Sequence, residues 1–231
     1  MPIFYPLILI NFKSYREALG SRAIKIAETA LDVSKEYGVA IAVAPQLVNL
    51  REIASIGVPT FAQHVDPVAP GSWTGHVTLE AIKDAGAVGV IVNHSEKRLK
   101  LSDIGFIVSK AKSLDLKSVV CGDTVGTTIA VAMLRPSMVA IEPPELIGTG
   151  RAVSRVSPDS IVRAVRGVRK AVSGVKVLCG AGITNGEDVE MALKLGADGV
   201  LLASAVAKAD DYRAKIIELA EAVKRFIDRG A

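Results

Sequence analysis

The chain has 231 residues, enough for one large domain or two smaller ones. Half of the residues are apolar and 23% are charged, while glycine and proline are scattered singly, so the composition excludes a disordered or fibrous protein. A net charge of +4 with only 4% aromatic residues argues against a nucleic-acid groove, which needs a larger basic excess and stacking surfaces. A small anionic ligand remains compatible with these values.

The first apolar run, residues 6–10, follows no basic region and ends at Asn11 and Lys13, so it does not predict a signal peptide. No uninterrupted apolar stretch approaches the roughly 18 residues that a membrane span requires. We therefore expect a cytoplasmic chain with no membrane partner. Cys121 and Cys179 form no CxxC pair and have no histidine nearby in sequence, so we expect reduced structural thiols and no metal site.

Eight short apolar runs, rich in valine and isoleucine, predict eight strands. Because apolar residues are continuous rather than alternating, each strand should be buried on both faces, as in a parallel sheet. The predicted strands are residues 7–10, 39–44, 59–62, 88–92, 118–121, 138–141, 176–179 and 199–202.

Apolar residues at helical spacing separate these strands, beginning near Leu19, Ile104 and Tyr212. Ser157 followed by Pro158 predicts a capped helix start. The intervals after the second, third and fifth strands are brief, so their helices should be short.

Eight strands alternating with helices leave an open doubly wound sheet or a closed (β/α)8 barrel, and the strand count favours one barrel domain over residues 1–231. The sequence Gly-Ala-x-Gly-Val, at 86–90 and again at 196–200, is a weak internal echo of the kind that two half-barrels would give. An open sheet that binds a dinucleotide is not supported, because its Gly-x-Gly-x-x-Gly motif is incomplete. Gly180 and Gly182 match the first two glycines, but Asn185 occupies the position of the third.

In a parallel barrel the chemistry collects where the strands end, and five predicted strands are followed there by polar or small residues. These are 11–13 after the first strand, 93–96 after the fourth, 142–145 after the sixth, 180–182 after the seventh and 203–204 after the eighth.

A lone lysine after a strand is usually a solvated charge. Asn11 and Lys13, however, are two residues apart, so both side chains should point into the barrel. His94 alone is more often structural than catalytic, but Ser95 and Glu96 predict a short helix whose positive end would keep the imidazole neutral and able to donate to a carbonyl. Glu96 itself is equally compatible with a direct role and a supporting one.

Glu142 directly follows a buried strand and precedes two prolines, which would hold a carboxylate at the edge of the core. Residues 143–150 combine this stiff entrance with two glycines at the exit, a composition typical of a lid that moves about hinges, although a plain surface loop has similar features. The amides of Gly182, Ala203 and Ser204 would form a concave donor site for a phosphate, with tight turns as the simpler explanation of the small residues.

These residues resemble the triosephosphate isomerase family along the whole chain. The matching motifs, in order, are Asn-Phe-Lys at 11–13, Gln63, Trp-Thr-Gly at 73–75, His-Ser-Glu-Lys-Arg at 94–98, Glu-Pro at 142–143, Ile-Gly-Thr-Gly at 147–150, Cys-Gly-Ala-Gly at 179–182 and Ala-Ser at 203–204. The short outer segments are most similar to the archaeal form of the family.

The resemblance implies interconversion of dihydroxyacetone phosphate and glyceraldehyde 3-phosphate in glycolysis and gluconeogenesis, without a cofactor. It implies Glu142 as base, His94 as proton donor to the substrate oxygens and Lys13 as the cation beside the enediolate. It further implies that Asn11 orients substrate and that the phosphate is bound by Ile147 and Gly148 of the lid together with Gly182, Ala203 and Ser204. It also implies a homotetramer, with a dimer as the alternative.

Two other function classes remain open from the residues. Phosphate-binding barrels include lyases and synthases similar to indole-glycerol-phosphate synthase and the tryptophan synthase α subunit, but these do not demand Lys13, His94 and Glu142 together. A non-catalytic sensor of sugar phosphates would keep Gly182 and Ser204 and would need no base at position 142.

Overall fold

The chain folds into eight parallel strands alternating with helices, as a computed structural model covering residues 3–143 and 152–230 shows. The strands, β1 to β8 in chain order, are Leu7–Asn11, Ala40–Ala44, Phe61–Ala62, Gly89–Val92, Lys117–Gly122, Met138–Ile141, Lys176–Gly180 and Gly199–Leu202. All eight predicted strands are therefore confirmed, with the third reduced to two residues.

Helices follow the strands along the described chain. The α-helices, α1 to α10, are Gly20–Tyr37, Leu50–Ser55, Leu79–Asp84, Leu101–Ser113, Val125–Ala132, Val153–Val156, Pro158–Ala171, Gly186–Lys194, Ser204–Ala207 and Tyr212–Asp228. As predicted, the helices after β2, β3 and β5 are short, with six, six and eight residues.

The predicted cap at Ser157 is only partly correct. Pro158 does open α7, but the Ser157 side chain makes no hydrogen bond to the helix backbone. Its hydroxyl lies 2.7 Å from the Ser160 hydroxyl instead. The helix start therefore depends on the proline, whose fixed φ suits the first helical position.

The sheet closes on itself to make the barrel. Strand β1 pairs in parallel with both β2 and β8, and the remaining neighbours pair in chain order from β8 to β3. Strands β2 and β3 meet through a single bridge between Val43 and Thr60. This narrow seam is the last link of a (β/α)8 barrel, the architecture that the strand count favoured.

The barrel interior is filled by alternate residues of the strands, because side chains two apart share a face. The buried inner set is Leu7, Leu9, Ala40, Ala42, Ala44, Phe61, Ile91, Val119, Cys121, Met138, Ala140, Leu178 and Leu201. One step further along β1 and past the end of β6, the same alternation places Asn11 and Glu142 at the carboxyl-terminal opening. The packing of the core thus aims two polar side chains at the same mouth.

The helices cover the outside of the barrel with a second, larger apolar cluster. Among the residues that the structure describes, no helix is both long and apolar enough to cross a membrane.

Candidate active site

A cavity opens at the carboxyl-terminal ends of the strands. Its walls come from β1 and β8 and from the segments that follow β1, β4, β6, β7 and β8. The lining residues are Asn11, Lys13, Tyr15, His94, Glu142, Ala181, Gly182, Ile183, Thr184, Leu201, Leu202, Ala203 and Ser204. Seven predicted site residues therefore lie around one space.

Glu142 is a buried carboxylate held at the end of β6. Its N–H donates to the Gly122 carbonyl at 2.8 Å, which continues the sheet past the strand and fixes the backbone. Only 4% of the residue is exposed, and no described group donates a hydrogen bond to Oε2. A buried carboxylate oxygen without a donor is energetically costly, so this atom is suited to accept a proton from a ligand.

His94 follows β4 in a turn rather than in the short helix that the sequence predicted. The Lys97 N–H closes this turn on the His94 carbonyl at 2.8 Å, and α4 begins only at Leu101. The expected helix dipole is therefore absent at this position. The Glu96 N–H donates to His94 Nδ1 at 3.2 Å, which leaves Nε2 as the ring nitrogen that carries the proton of a neutral imidazole.

His94 and Glu142 lie next to each other on the cavity wall. His94 Nε2 lies 3.7 Å from Glu142 Oε2, beyond hydrogen-bonding distance. A donor and a carboxylate thus lie side by side without a hydrogen bond between them, so that both remain available to a ligand in the cavity.

Lys13 lines the cavity, but its backbone conformation is not the extended one that the sequence predicted. Strand β1 ends at Asn11, and Lys13 has a left-handed backbone with φ 48°, so the alternation of a strand does not set its direction. Such a conformation is uncommon for lysine and is maintained by surrounding bonds. Asn11 Oδ1 accepts from the Lys13 N–H at 2.9 Å, and Gln63 Nε2 donates to the Lys13 carbonyl at 3.0 Å.

The Lys13 ammonium pairs with Glu96, since Nζ donates to Oε1 at 2.7 Å. The Lys13 side chain is 10% exposed and that of Glu96 is 58% exposed, so the carboxylate lies on the solvent side of the ion pair. Glu96 does not line the cavity. It lines a wider groove beside it, together with Gln46, Val48 and His64, which favours the supporting role over the direct one.

The loops after β7 and β8 bring small residues to the part of the wall that adjoins β1, because β8 pairs with β1. Ala181 and Gly182 both have positive φ, 76° and 72°, which turns the chain sharply after the strand. No described group accepts a hydrogen bond from the N–H of Gly182, Ala203 or Ser204. Unpaired amides beside a cavity, with no bulky side chain to cover them, form a site that an anion such as phosphate can occupy.

Two predicted phosphate-binding residues, Ile147 and Gly148, lie outside the described residues, as does most of the predicted lid. The remaining predicted site residues are all placed by the structure.

Comparison with known proteins gives an independent result. Residues 6–220 match the Triosephosphate isomerase family. The chain belongs to the triosephosphate isomerase family. Relatives that are named triosephosphate isomerase occur in Methanocaldococcus jannaschii, 51% identical over 92% of this chain and 98% of the relative, and in Caldivirga maquilingensis, 52% identical over 94% and 96%. A third, from Pyrobaculum arsenaticum, is 52% identical over 94% of this chain and 97% of the relative.

The match to the triosephosphate isomerase family includes every part of the chain that forms the site, from β1 to beyond β8. The structure adds lining residues that the sequence reasoning did not single out. Tyr15 lies on the cavity wall with the Lys208 ammonium 4.4 Å from its ring centre, and Thr184 lies beside Gly182. No local signal marks Tyr15. Thr184 could have been found from its position, two residues after Gly182 and directly before a helix cap.

Both cysteines are buried close to the base. Burial, followed by the charge of Glu142, raises the pKa of the Cys121 thiol well above its usual value, and the same two causes raise the pKa of Cys179. The thiols therefore stay neutral in the folded protein and place no second negative charge beside Glu142. This agrees with the expectation of structural thiols, which the structure describes as free cysteines.

Proposed function

We propose that Glu142, His94 and Lys13 carry the reaction that gives this family its name, the interconversion of dihydroxyacetone phosphate and D-glyceraldehyde 3-phosphate in glycolysis. Membership of the family makes the chain an isomerase of triose phosphates. The observation that carries the assignment of roles is the arrangement of a donor-free carboxylate oxygen, an imidazole whose Nδ1 accepts a backbone N–H, and a lysine around one small cavity.

The base is Glu142. It removes a proton from the substrate carbon beside the carbonyl, and the C–H electron pair becomes the carbon–carbon double bond of an enediolate. The carbonyl oxygen takes up the negative charge. His94 gives its Nε2 proton to the former carbonyl oxygen and takes up the proton of the neighbouring hydroxyl, so that one proton moves from one substrate oxygen to the other. Glu142 then returns the carbon proton to the former carbonyl carbon while the neighbouring C–O bond becomes the new carbonyl, which completes the exchange between ketose and aldose with no net change in atoms or electrons.

His94 and Lys13 stabilise the charge that develops on oxygen. The proton on Nε2 of His94 is donated to the substrate oxygens, and Lys13 contributes a fixed positive charge in a site from which water is largely removed. Asn11 orients the substrate and holds the Lys13 backbone. Every proposed step uses side chains and substrate only, so the reaction as proposed involves no cofactor and no metal.

The phosphate is bound by the amides of Gly182, Ala203 and Ser204, and we keep Ile147 and Gly148 in this role as a proposal from the sequence. Binding the phosphate at these amides would hold the enediolate in place and limit the elimination of phosphate. Glu96 positions Lys13. The combination of base, imidazole and lysine favours this isomerisation over the lyase and synthase reactions of other phosphate-binding barrels, and a sensor would not need the unpaired carboxylate.

The test is a coupled assay in which purified protein receives glyceraldehyde 3-phosphate and a reporter dehydrogenase follows dihydroxyacetone phosphate. We expect turnover that stays proportional to enzyme concentration. Folded protein without turnover, at every temperature up to its unfolding, would contradict the proposed function while leaving the barrel fold intact.

Replacing His94 with glutamine should reduce kcat about 10²-fold, because a general acid contributes roughly 10² to 10⁴ to a rate. His94 is remote from the amides of the phosphate site in the proposed binding mode, so the inhibition constant of inorganic phosphate should change less than about twofold. Steady-state kinetics with phosphate as inhibitor measures both quantities. Weakened phosphate binding with little loss of turnover would contradict the assigned role.

We also propose a single domain over residues 1–231, a cytoplasmic location, service in gluconeogenesis as well as glycolysis, and a homotetramer with a dimer as the alternative. A closed tetramer with dihedral symmetry needs more than one kind of interface. The large apolar side chains that are exposed include Val48 and Trp73, after β2 and β3, and Phe106 and Met133, on α4 and at the end of α5. Sedimentation velocity would distinguish a tetramer from a dimer of the 24.2 kDa chain.

A further inference from the structure

Asp188 is a buried carboxylate that the proposed reaction does not use. It lies in the first turn of α8, and its side chain is 2% exposed. An isolated charge in such a place is costly, so the carboxylate needs several donors. Its partners come from two different parts of the fold.

One oxygen of Asp188 binds the loop that follows β7. The Thr184 N–H donates to Oδ2 at 2.9 Å, and the Thr184 hydroxyl donates to the same atom at 2.8 Å. The Thr184 carbonyl accepts from Lys215 Nζ of α10 at 3.2 Å. All polar groups of Thr184 are therefore engaged, two of them by Asp188.

The other oxygen of Asp188 binds Arg155 of α6, whose Nε donates to Oδ1. Arg155 also pairs with the exposed Glu187 at 2.8 Å. In addition, the buried Ser154 hydroxyl donates to the Asp188 carbonyl at 3.3 Å. The arginine neutralises the buried carboxylate, and α6 is docked against the first turn of α8.

Capping of α8 does not account for these contacts. Asn185 already supplies the cap, because its side-chain oxygen accepts from the Asp188 N–H at 3.0 Å. The Asp188 carboxylate extends past this residue to Thr184, outside the helix. Glu187 supplies a further acidic charge to the first turn.

The loop that Asp188 holds is the one that lines the cavity at Gly182 and Thr184. Ala181 in this loop has φ 76°, a left-handed conformation that is strained for alanine and persists only when neighbouring bonds impose it. The two bonds from Thr184 to Asp188 lie three residues further along and fix the far end of the turn. Loosening them would let the Gly182 amide rotate away from the cavity.

We propose that Asp188 is a positioning residue, which acts through Thr184 to aim the Gly182 amide at the phosphate group of the substrate. The proposal rests on the proposed function for the identity of the ligand. It assigns Arg155 the task of binding Oδ1 of Asp188, so that Oδ2 stays directed at both donors of Thr184.

The test compares Asp188→Asn with Asp159→Asn, a matched control that removes an exposed acid from the first turn of α7, remote from the cavity lining. In Asp188→Asn an amide replaces an acceptor that holds two donors and an arginine. We expect the dissociation constant for inorganic phosphate, measured by calorimetry, and KM to rise about tenfold, while kcat changes less than about threefold. Asp159→Asn should leave all three values unchanged.

A purely structural role would lower the melting temperature of Asp188→Asn and leave phosphate affinity and KM unchanged below it, which would overturn the proposal. Should Asp188→Asn not fold, Thr184→Val keeps the N–H bond and removes the hydroxyl bond, and we expect it to weaken phosphate binding about threefold. Unchanged phosphate binding in Thr184→Val would then overturn the proposal.

Phosphate affinity and isomerase turnover, measured separately, distinguish a failure of this proposal from a failure of the proposed function. Wild-type protein that binds phosphate but shows no isomerase turnover would contradict the function, and the change in phosphate affinity would still decide the role of Asp188. Wild-type protein that binds no phosphate would overturn the proposal itself.

Discussion

Glu142→Gln should lower kcat by about 10³- to 10⁴-fold, the upper part of the range for loss of a general base. Glutamine has nearly the shape of glutamate, so the surroundings at the end of β6 remain filled, but its amide cannot take a proton from carbon. Phosphate affinity should stay within about twofold of wild type, because the base acts mainly in the transition state. The coupled assay gives kcat, and calorimetry with inorganic phosphate gives the affinity.

Glu142→Asp separates charge from position. Aspartate keeps a carboxylate but is one methylene shorter, which moves the proton-accepting oxygen away from His94 and the substrate. We expect kcat to fall far more than KM rises. Glu221→Gln, an exposed acid on α10, is the control for a simple loss of charge. Equal losses in kcat and KM for Glu142→Asp would contradict its role as the base.

The barrel and the location of its site could be predicted because both follow from local patterns. A strand buried on two faces must be apolar throughout, so β1 and β4 are visible as unbroken apolar runs. Polar residues placed directly after such runs, as Glu142 is, can only lie at the carboxyl-terminal mouth. The unbroken apolar runs and the polar residues that directly follow them therefore indicated which residues meet at the mouth of the barrel.

The conformations inside the site could not be predicted in the same way. Lys13 was assigned the direction of a strand residue, but its left-handed backbone depends on Gln63, fifty positions away in sequence. The residues after His94 form a turn instead of the expected helix, and the next helix, α4, begins only at Leu101. In place of a helix dipole, the structure gives the His94 ring a single N–H from Glu96, which Nδ1 accepts.

Contacts between segments that are distant in sequence were the hardest to predict from the sequence. Asp188 and Arg155 are 33 residues apart, and nothing in either local pattern indicates that one neutralises the other. Gly180 was recognised as part of a small-residue turn. A side chain at this position would meet Glu142, which follows the neighbouring strand β6, and this proximity is visible only in three dimensions.

Gly180→Ala should reduce kcat about 10²-fold although alanine is a small residue and position 180 is in a strand. A Cβ at this position would lie 2.4 Å from Glu142 Cγ and 2.7 Å from Oε1. Carbon atoms that are not bonded to each other prefer about 3.5 to 4.0 Å, so the carboxylate must move by about 1 Å. A displacement of that size in a reacting group costs about 10²-fold in rate.

The control is Gly105→Ala, within α4, where a new Cβ would have only Leu134 Cδ2 within reach, at 4.0 Å. Alanine favours a helix more than glycine does, so this variant should keep wild-type kinetics and be slightly more stable. Gly180→Ala should also keep wild-type phosphate affinity, because the clash is with the base and not with the amides of Gly182, Ala203 and Ser204.

A double variant that combines Gly180→Ala with Glu142→Gln tests whether Gly180 acts through Glu142. With glutamine at 142 the base is already lost, so adding Gly180→Ala should lower the remaining turnover by less than about threefold, far below its effect in wild type. Losses that multiply in the double variant would mean that alanine disturbs the barrel generally, and would contradict a steric effect on the base. Non-multiplying losses would show that the absent side chain at 180 is part of how Glu142 is positioned.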